Sequence, residues 1–255
     1  MNENEHLKWK PFWDAQADVA DSHEAVRGDR IMSDDVQAFH DMMLLAMFGA
    51  TQADAVLDAG CGTGDQIMLF SPYTREITAI DFSPKMVNRC RARIAPEEFH
   101  FRAKVSVKTG DITALPFSDD TFDKAVSVAV LQYLNPKECD KALAELARVI
   151  KPGGVLLIHI KDMWSGTGMM ITFARFLRAI IKGRPPLEYQ YRTHWWYKKK
   201  VRKVGLVEAT YAYGTWTPLM PKRMMAAIAL WETKFRLLQE LFPHGKEYFI
   251  KIRIK

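Results

Sequence analysis

The residues best suited to chemistry begin with VLDAGCGTGDQ, Val56 to Gln66, which sets Gly60, Gly62 and Gly64 at alternate positions after an apolar run. Glycines so spaced let a backbone turn sharply and approach a bound group. A dinucleotide loop would read G-x-G-x-x-G, but the place of its third glycine is taken by Asp65. A carboxylate at the head of the following helix suits the helix dipole and repels a phosphate docked there. The G-K-[ST] ending of a phosphate loop is absent as well. The loop therefore reads as a seat for a nucleotide-like ligand without phosphate.

Two further acids fit such a ligand. Asp81, in AIDFSPKM, falls at the carboxyl end of a second apolar run, where an acid can accept hydrogen bonds from both ribose hydroxyls. Asp111, in GDITALPF, follows a third run and can accept from the exocyclic amine of adenine, with Ile112 against the ring. Acid–base residues are less sharply marked. Tyr133, His159 and His194 are the candidates, with His40 behind them. His159 alternates with apolar neighbours in VLLIHI, a pattern that suits a ligand mouth or a packed core equally. Spacing singles out no general base. Cys61 reads as a small residue in a tight loop. Asp119, Asp120 and Asp123 read as a turn, since a calcium loop needs denser ligands, and no metal site is expected.

Positioning these side chains takes a sheet. AVLDA (55–59), EITAID (76–81), KVSVKTG (104–110), FDKAVSVAVL (122–131) and VLLIHI (155–160) have the length and apolarity of buried strands. Helices are predicted between them: near 65–71, from Pro84 to about Ile94, and over 136–150, where Ala142, Leu143, Leu146, Ala147 and Ile150 share a face. Proline at the first helical position costs little. This alternation predicts a doubly wound parallel sheet that binds ligands beyond its carboxyl ends. Upstream, Ser33 reads as the N-cap of a helix carrying Val36, Phe39, Met43, Leu44 and Met47, with Gly49 at its end. The first 32 residues hold aromatic anchors, Phe12 and Trp13, but no strong period. Downstream, GMMITFARFLRAIIKG, HWWYKKKVRKVGL and PKRMMAAIALWETKFRLLQELF read as helices, VEATYAYG and KEYFIKIRIK as strands.

Composition sets the outer bounds. Hydrophobic residues make up 48% and charged residues 26% of the 255, as in an ordinary soluble globular chain. Three widely spaced cysteines, with no C-x-x-C, argue against a disulfide framework and for a reducing, cytoplasmic setting. No apolar run is long enough for a membrane span. The net charge of +6 is concentrated around Lys182–Lys203, where WWYKKKVRKVG reads as the solvated face of a helix before it reads as a nucleic-acid surface. Arg175 and Arg178 leave interfacial membrane association open.

VLDAGCGTG, AIDFSPKM, VKTGDITALPFSDDTFDKAVSV and ALAELARVIKPGGVLLI follow one another at family spacing. On these motifs the chain resembles a class I S-adenosylmethionine-dependent methyltransferase, of the small-molecule type that includes quinone-biosynthesis methyltransferases. The resemblance is strong over residues 52–160. It implies a Rossmann-like seven-stranded sheet of order 3-2-1-4-5-7-6, the last strand antiparallel, in a single domain over 1–255. Residues 1–50 would cap it, with helical cap insertions at 163–190 and 216–243. It implies that Asp58, Gly60, Cys61 and Gly62 line the methionine end of S-adenosylmethionine. Asp81 would hold the ribose, with Phe82 or Met86 flanking it, and Asp111 and Ile112 the adenine. Val128 would lie near the sulfonium, and Trp13 would close over the cofactor. Tyr133 and His194 fall where acceptor residues lie in such enzymes. The reaction would give S-adenosylhomocysteine and methylate a small or medium organic acceptor, aromatic or lipid-like. Two other readings stay open: an RNA or protein methyltransferase using the basic region, and a cofactor-binding protein without transfer. SVAVLQYL lacks the NPPY-like motif of many base and amide N-methyltransferases. The oligomeric state is not legible.

Overall fold

The computed structural model describes residues 5–19, 34–95, 103–162, 169, 173, 192–213 and 247–255. Seven strands form one sheet: β1 (Ala55–Ala59), β2 (Glu76–Asp81), β3 (Lys104–Thr109), β4 (Phe122–Val128), β5 (Ile150–Lys161), β6 (Gly205–Tyr213) and β7 (Glu247–Ile254). Their order is β3-β2-β1-β4-β5-β7-β6, as anticipated. β1 to β5 pair in parallel, and β7 runs antiparallel between β5 and β6. Helices α1 (Lys10–Val19), α2 (Asp34–Phe48), α3 (Asp65–Phe70), α4 (Pro84–Ile94), α5 (Pro136–Val149) and α6 (His194–Val201) flank it.

Neighbouring residues of the central strands feed opposite cores. Leu57, Ala125 and Leu156 pack with Leu143 and Leu146 of α5 and Tyr197 of α6. Val56, Val126 and Leu157 pack with Leu44 and Phe48 of α2, Ile67 and Phe70 of α3, and Val87 of α4. A strand covered on both faces has no solvent side, which is why these runs are continuously apolar.

The structure departs from the sequence reading at several elements. The helix read over HWWYKKKVRKVGL stops at Val201, and Gly205 and Leu206 already belong to β6. β4 ends at Val128 rather than continuing to Leu131, because Ala129 turns into the left-handed region at φ 59°. β5 begins at Ile150 and includes KPGG, so α5 stops at Val149. The N-terminal segment, without a recognisable period, forms a 3-10 turn (Glu5–Trp9) and α1. Ser33 and the cap insertions expected over 163–190 and 216–243 lie outside the described residues, apart from Met169 and Phe173.

Long-range contacts hold the N-terminal segment over the carboxyl end of the sheet. Asp14 accepts from the hydroxyl of Ser83, the N-cap of α4, and Lys85 pairs with Asp18. His6 is the stronger tie. Its Nε2 lies 2.9 Å from Asp111 Oδ2 and its Nδ1 2.8 Å from Glu138 Oε1. Donating from both ring nitrogens requires the protonated imidazolium. Burial opposes that charge, but the hydrogen bonds and charges of Asp111 and Glu138 outweigh it and raise the His6 pKa above 6.5. Burial likewise works against ionised Asp111 and Glu138, yet hydrogen bonds from His6, Thr113 and the Asn135 backbone bring both below the usual carboxylate range. Glu138 also closes a capping box with Asn135 at the head of α5.

Two outcomes are expected. Asn135→Ala removes the acceptor for the Lys137 and Glu138 amides and should lower unfolding free energy in urea by about 1–2 kcal/mol. His6 binds its proton more tightly when folded. Its contribution is therefore complete below an unfolded pKa of about 6.5 and fades as pH rises through the higher folded value. Hydrogen exchange at residues 5–19, corrected for intrinsic rate, should accelerate in the wild type as pH rises through that folded value. His6→Gln should show fast exchange on both sides of that point. Wild-type protection that stays constant through this range would remove His6 as the clamp.

Candidate active site

β1 delivers the glycine loop to the carboxyl end of the sheet. Gly60, Gly62 and Gly64 have φ of 92°, 51° and 90°. A Cβ on Gly60 would come 2.2 Å from Val130 Cγ2, so the loop admits no side chain there. Gly62 differs: a Cβ there would meet nothing within 4 Å, and only its backbone angle demands glycine. Four of the loop amides are already occupied. Gly60 and Cys61 donate to Ile80 O at 2.8 and 2.9 Å, Gly64 to Cys61 O at 2.9 Å, and Gly62 to Asp81 Oδ2 at 2.9 Å. This corrects the reason for excluding a phosphate. Asp65 at the head of α3 is paired with Arg93 at 2.6 Å, which offsets its charge. A phosphate is disfavoured instead by the Asp81 carboxylate, which already takes the Gly62 amide.

Asp81 sits at the end of β2 with both oxygens engaged, accepting from Gly62 N and, at 2.9 Å, from Ser83 N. Burial pushes its carboxyl up to about 6, against the pull of the Ser83 and Gly62 amides. Each oxygen keeps a further lone pair for a hydroxyl donor. A cavity of about 190 Å³ opens beside it. Gly60, Cys61 and Gly62 form one wall, while Phe82, Met86, Asp111 and Ile112 line the part beyond β2. Val128 and His159 line the part beyond β4 and β5. Trp13 and Tyr133 also face it, with their rings edge-on at 5.3 Å. Cys61 is no nucleophile in this setting: a hydrogen bond with Cys90, then burial, holds it as the thiol.

Two expected residues lie outside the cavity lining. Asp58 is buried in β1, and neither of its carboxylate oxygens has a hydrogen-bond partner. Burial, then the charges of Asp81 and Asp65, raises its pKa well above the ordinary value. His194 begins α6, with its Nδ1 2.5 Å from Asp162 Oδ2 and its ring 4.6 Å from Tyr248. That places it in the packing of α6 against β7. Among the other side chains weighed, Asp119 pairs with Arg148 and Asp123 with Lys151.

Sequence reading missed His6, Trp9 and Glu247, all of which line the cavity. Trp9 and Trp13 are four residues apart and both meet Tyr133 edge-on, a spacing that could have flagged one face of a turn. His6 and Glu247 left no local trace, since their partners are 132 and 88 residues away.

Residues 56–154 match the methyltransferase domain family. The chain is 36% identical over 144 residues to a malonyl-[acyl-carrier protein] O-methyltransferase of Pseudescherichia vulneris, covering 53% of each chain. It is 33% identical over 148 residues to a demethylmenaquinone methyltransferase of Renibacterium salmoninarum, covering 58% of this chain and 53% of that one. The chain thus spans about half the length of the curated relatives it matches. In fold it is similar to the N-methyltransferase NodS of Bradyrhizobium japonicum WM9, solved with S-adenosylhomocysteine, at a TM-score of 0.63 and 13% identity over 96% of this chain and 97% of that one. The match places a methyltransferase domain over residues 56–154, the part of the chain that carries the glycine loop and Asp81.

Proposed function

We propose that the protein transfers the methyl group of S-adenosylmethionine to a small or medium organic acceptor, aromatic or lipid-like. The observation that carries this reading is the buried Asp81 carboxylate, bound to the Gly62 amide of the glycine loop, beside an aromatic-roofed cavity. Such a seat suits a ribose diol without phosphate. Asp81 would accept from the ribose hydroxyls, with Phe82 and Met86 against the nucleoside. Asp111 and Ile112 would hold the adenine, and Gly60, Cys61 and Gly62 would line the amino-acid end. Val128 would lie near the sulfonium, with Trp13 closing over the nucleoside.

When bound, the cofactor supplies an activated methyl group. The chain's own task is to hold a nucleophile about 3–3.5 Å from it, in line with the departing sulfur. Trp9, Trp13 and Tyr133 would exclude water from that point. The relatives named for malonyl-[acyl-carrier protein] and demethylmenaquinone support an organic acceptor. The basic run favours the same reading over a nucleic-acid surface. Tyr197 and Val201 of α6 are buried, and Lys200 is paired with Asp140.

Asp81→Ala should weaken S-adenosylhomocysteine binding by roughly 1.5–3 kcal/mol in calorimetry, the scale of hydrogen bonds to a charged group. Because Asp81 titrates near 6 without ligand, wild-type affinity should fall as pH drops from about 7 to 5. Asp81→Asn should flatten that dependence. Unchanged affinity in Asp81→Ala would refute the ribose assignment.

A further inference from the structure

One group of titratable side chains in the cavity has no part in holding the nucleoside. His159 on β5 lies opposite Phe249 of β7, and Lys161 opposite Glu247. Across the diagonal, His159 Nε2 is 2.8 Å from Glu247 Oε2, and both side chains are 4% exposed. His40 of α2 meets the His159 ring edge-on at 5.3 Å, and Phe249 covers it at 4.6 Å. His40, His159, Lys161 and Glu247 all line the cavity.

The protonation of this group follows from its contacts. Burial lowers the His159 pKa to about 4, against the hydrogen bond and charge of Glu247, with the charges of His40 and Lys161 adding to the lowering. The ring is thus neutral at pH 7 and carries a single N–H. The Glu247 carboxylate can only accept, so that N–H is on Nε2 and Nδ1 bears a lone pair. Nδ1 is buried and has no hydrogen-bond partner. A bare acceptor in the interior is costly, and on a cavity wall it is one that a ligand's donor can satisfy. His194 also has a bare nitrogen, but it does not line the cavity.

We propose that His159 is the general base for the acceptor, taking at Nδ1 the proton of a phenolic or enolic hydroxyl, with Glu247 as its positioning residue. The proposal rests on the methyl-transfer reading above. A carboxylate acceptor is ionised at neutral pH and needs no base. A phenolic hydroxyl, with a pKa of about 10, does. The rings of Trp9 and Tyr133 in the same cavity suit a flat aromatic body. In the step, the acceptor O–H bond breaks and its proton passes to Nδ1. The oxygen lone pair forms the new bond to the methyl carbon. The electron pair of the old carbon–sulfur bond stays on sulfur, which leaves as a neutral thioether. The hydroxyl proton becomes strongly acidic as its oxygen bonds to carbon, so a base with a low pKa suffices. Glu247 stabilises the imidazolium that forms, which later loses its proton to water.

The test has two readouts. Nitrogen NMR of protein with labelled histidine, saturated with S-adenosylhomocysteine, should report His159 with a bare Nδ1 and a protonated Nε2. Methyl transfer is then assayed with 3,4-dihydroxybenzoate and 2-hydroxy-1,4-naphthoquinone as hydroxyl probes and a malonyl thioester as the carboxylate probe. Transfer to a hydroxyl oxygen is expected. His159→Gln should lower kcat about 10²- to 10⁴-fold, with S-adenosylhomocysteine affinity within about twofold. Glu247→Gln should lower kcat with little change in KM and move the acid limb of the pH profile to lower pH. Should His159→Gln not fold, the tautomer and the Glu247→Gln profile still decide. The proposal is overturned by the opposite tautomer, by transfer only to the malonyl carboxylate or to carbon, by no transfer to any probe, or by His159→Gln with nearly full activity. Calorimetry separates the two readings: if wild-type protein binds S-adenosylhomocysteine, such failures fall on the acceptor proposal alone, whereas absent binding overturns the cofactor reading beneath it.

Discussion

The contact between the Gly62 amide and the Asp81 carboxylate ties together everything at the carboxyl end of the sheet. It joins the loop after β1 to the end of β2 and spends the amide that would otherwise invite an anion. A second amide, from Ser83, fixes the other oxygen and starts α4, whose N-cap in turn receives Asp14 of the N-terminal helix. One buried carboxylate thereby sets the loop, the helix behind it and the roof. The cost of burial shows in its titration near 6, and donors from a ligand would relieve it.

What the sequence disclosed and what it hid follow one physical line. The glycine loop and the strand ends that carry Asp81 and Asp111 were legible because apolar runs and glycine spacing mark them within a few residues. The sheet order followed from a resemblance among those motifs, with the antiparallel last strand coming from the family and not from any pattern in KEYFIKIRIK. The N-terminal segment was illegible because its order comes from distant acids, His6 with Asp111 and Glu138 above all. Asp65 was legible in place but not in meaning, since Arg93 across α4 offsets its charge. The end of β4 was missed because nothing local marks an alanine that must adopt positive φ. Such strain, on the order of 1–2 kcal/mol, persists only where surroundings impose it, and here the Ala129 amide is held by His159 O at 2.9 Å.

Three histidines illustrate how environment decides chemistry. His6, between two carboxylates, is driven to the cation and acts as a clamp. His194, against Asp162 and Tyr248, belongs to the packing of α6. His159 is kept neutral by burial and oriented by Glu247. Only the last pairs neutrality with a position on the cavity wall, and a sequence offers no way to rank the three.

The roof over the cavity also shares its fastening with the wall beneath. The N-terminal residues that face the cavity are pinned by the same Asp111 that lines it. The proton on His6 therefore bears on both: when it leaves, the hold on the segment and a bond to the wall weaken together.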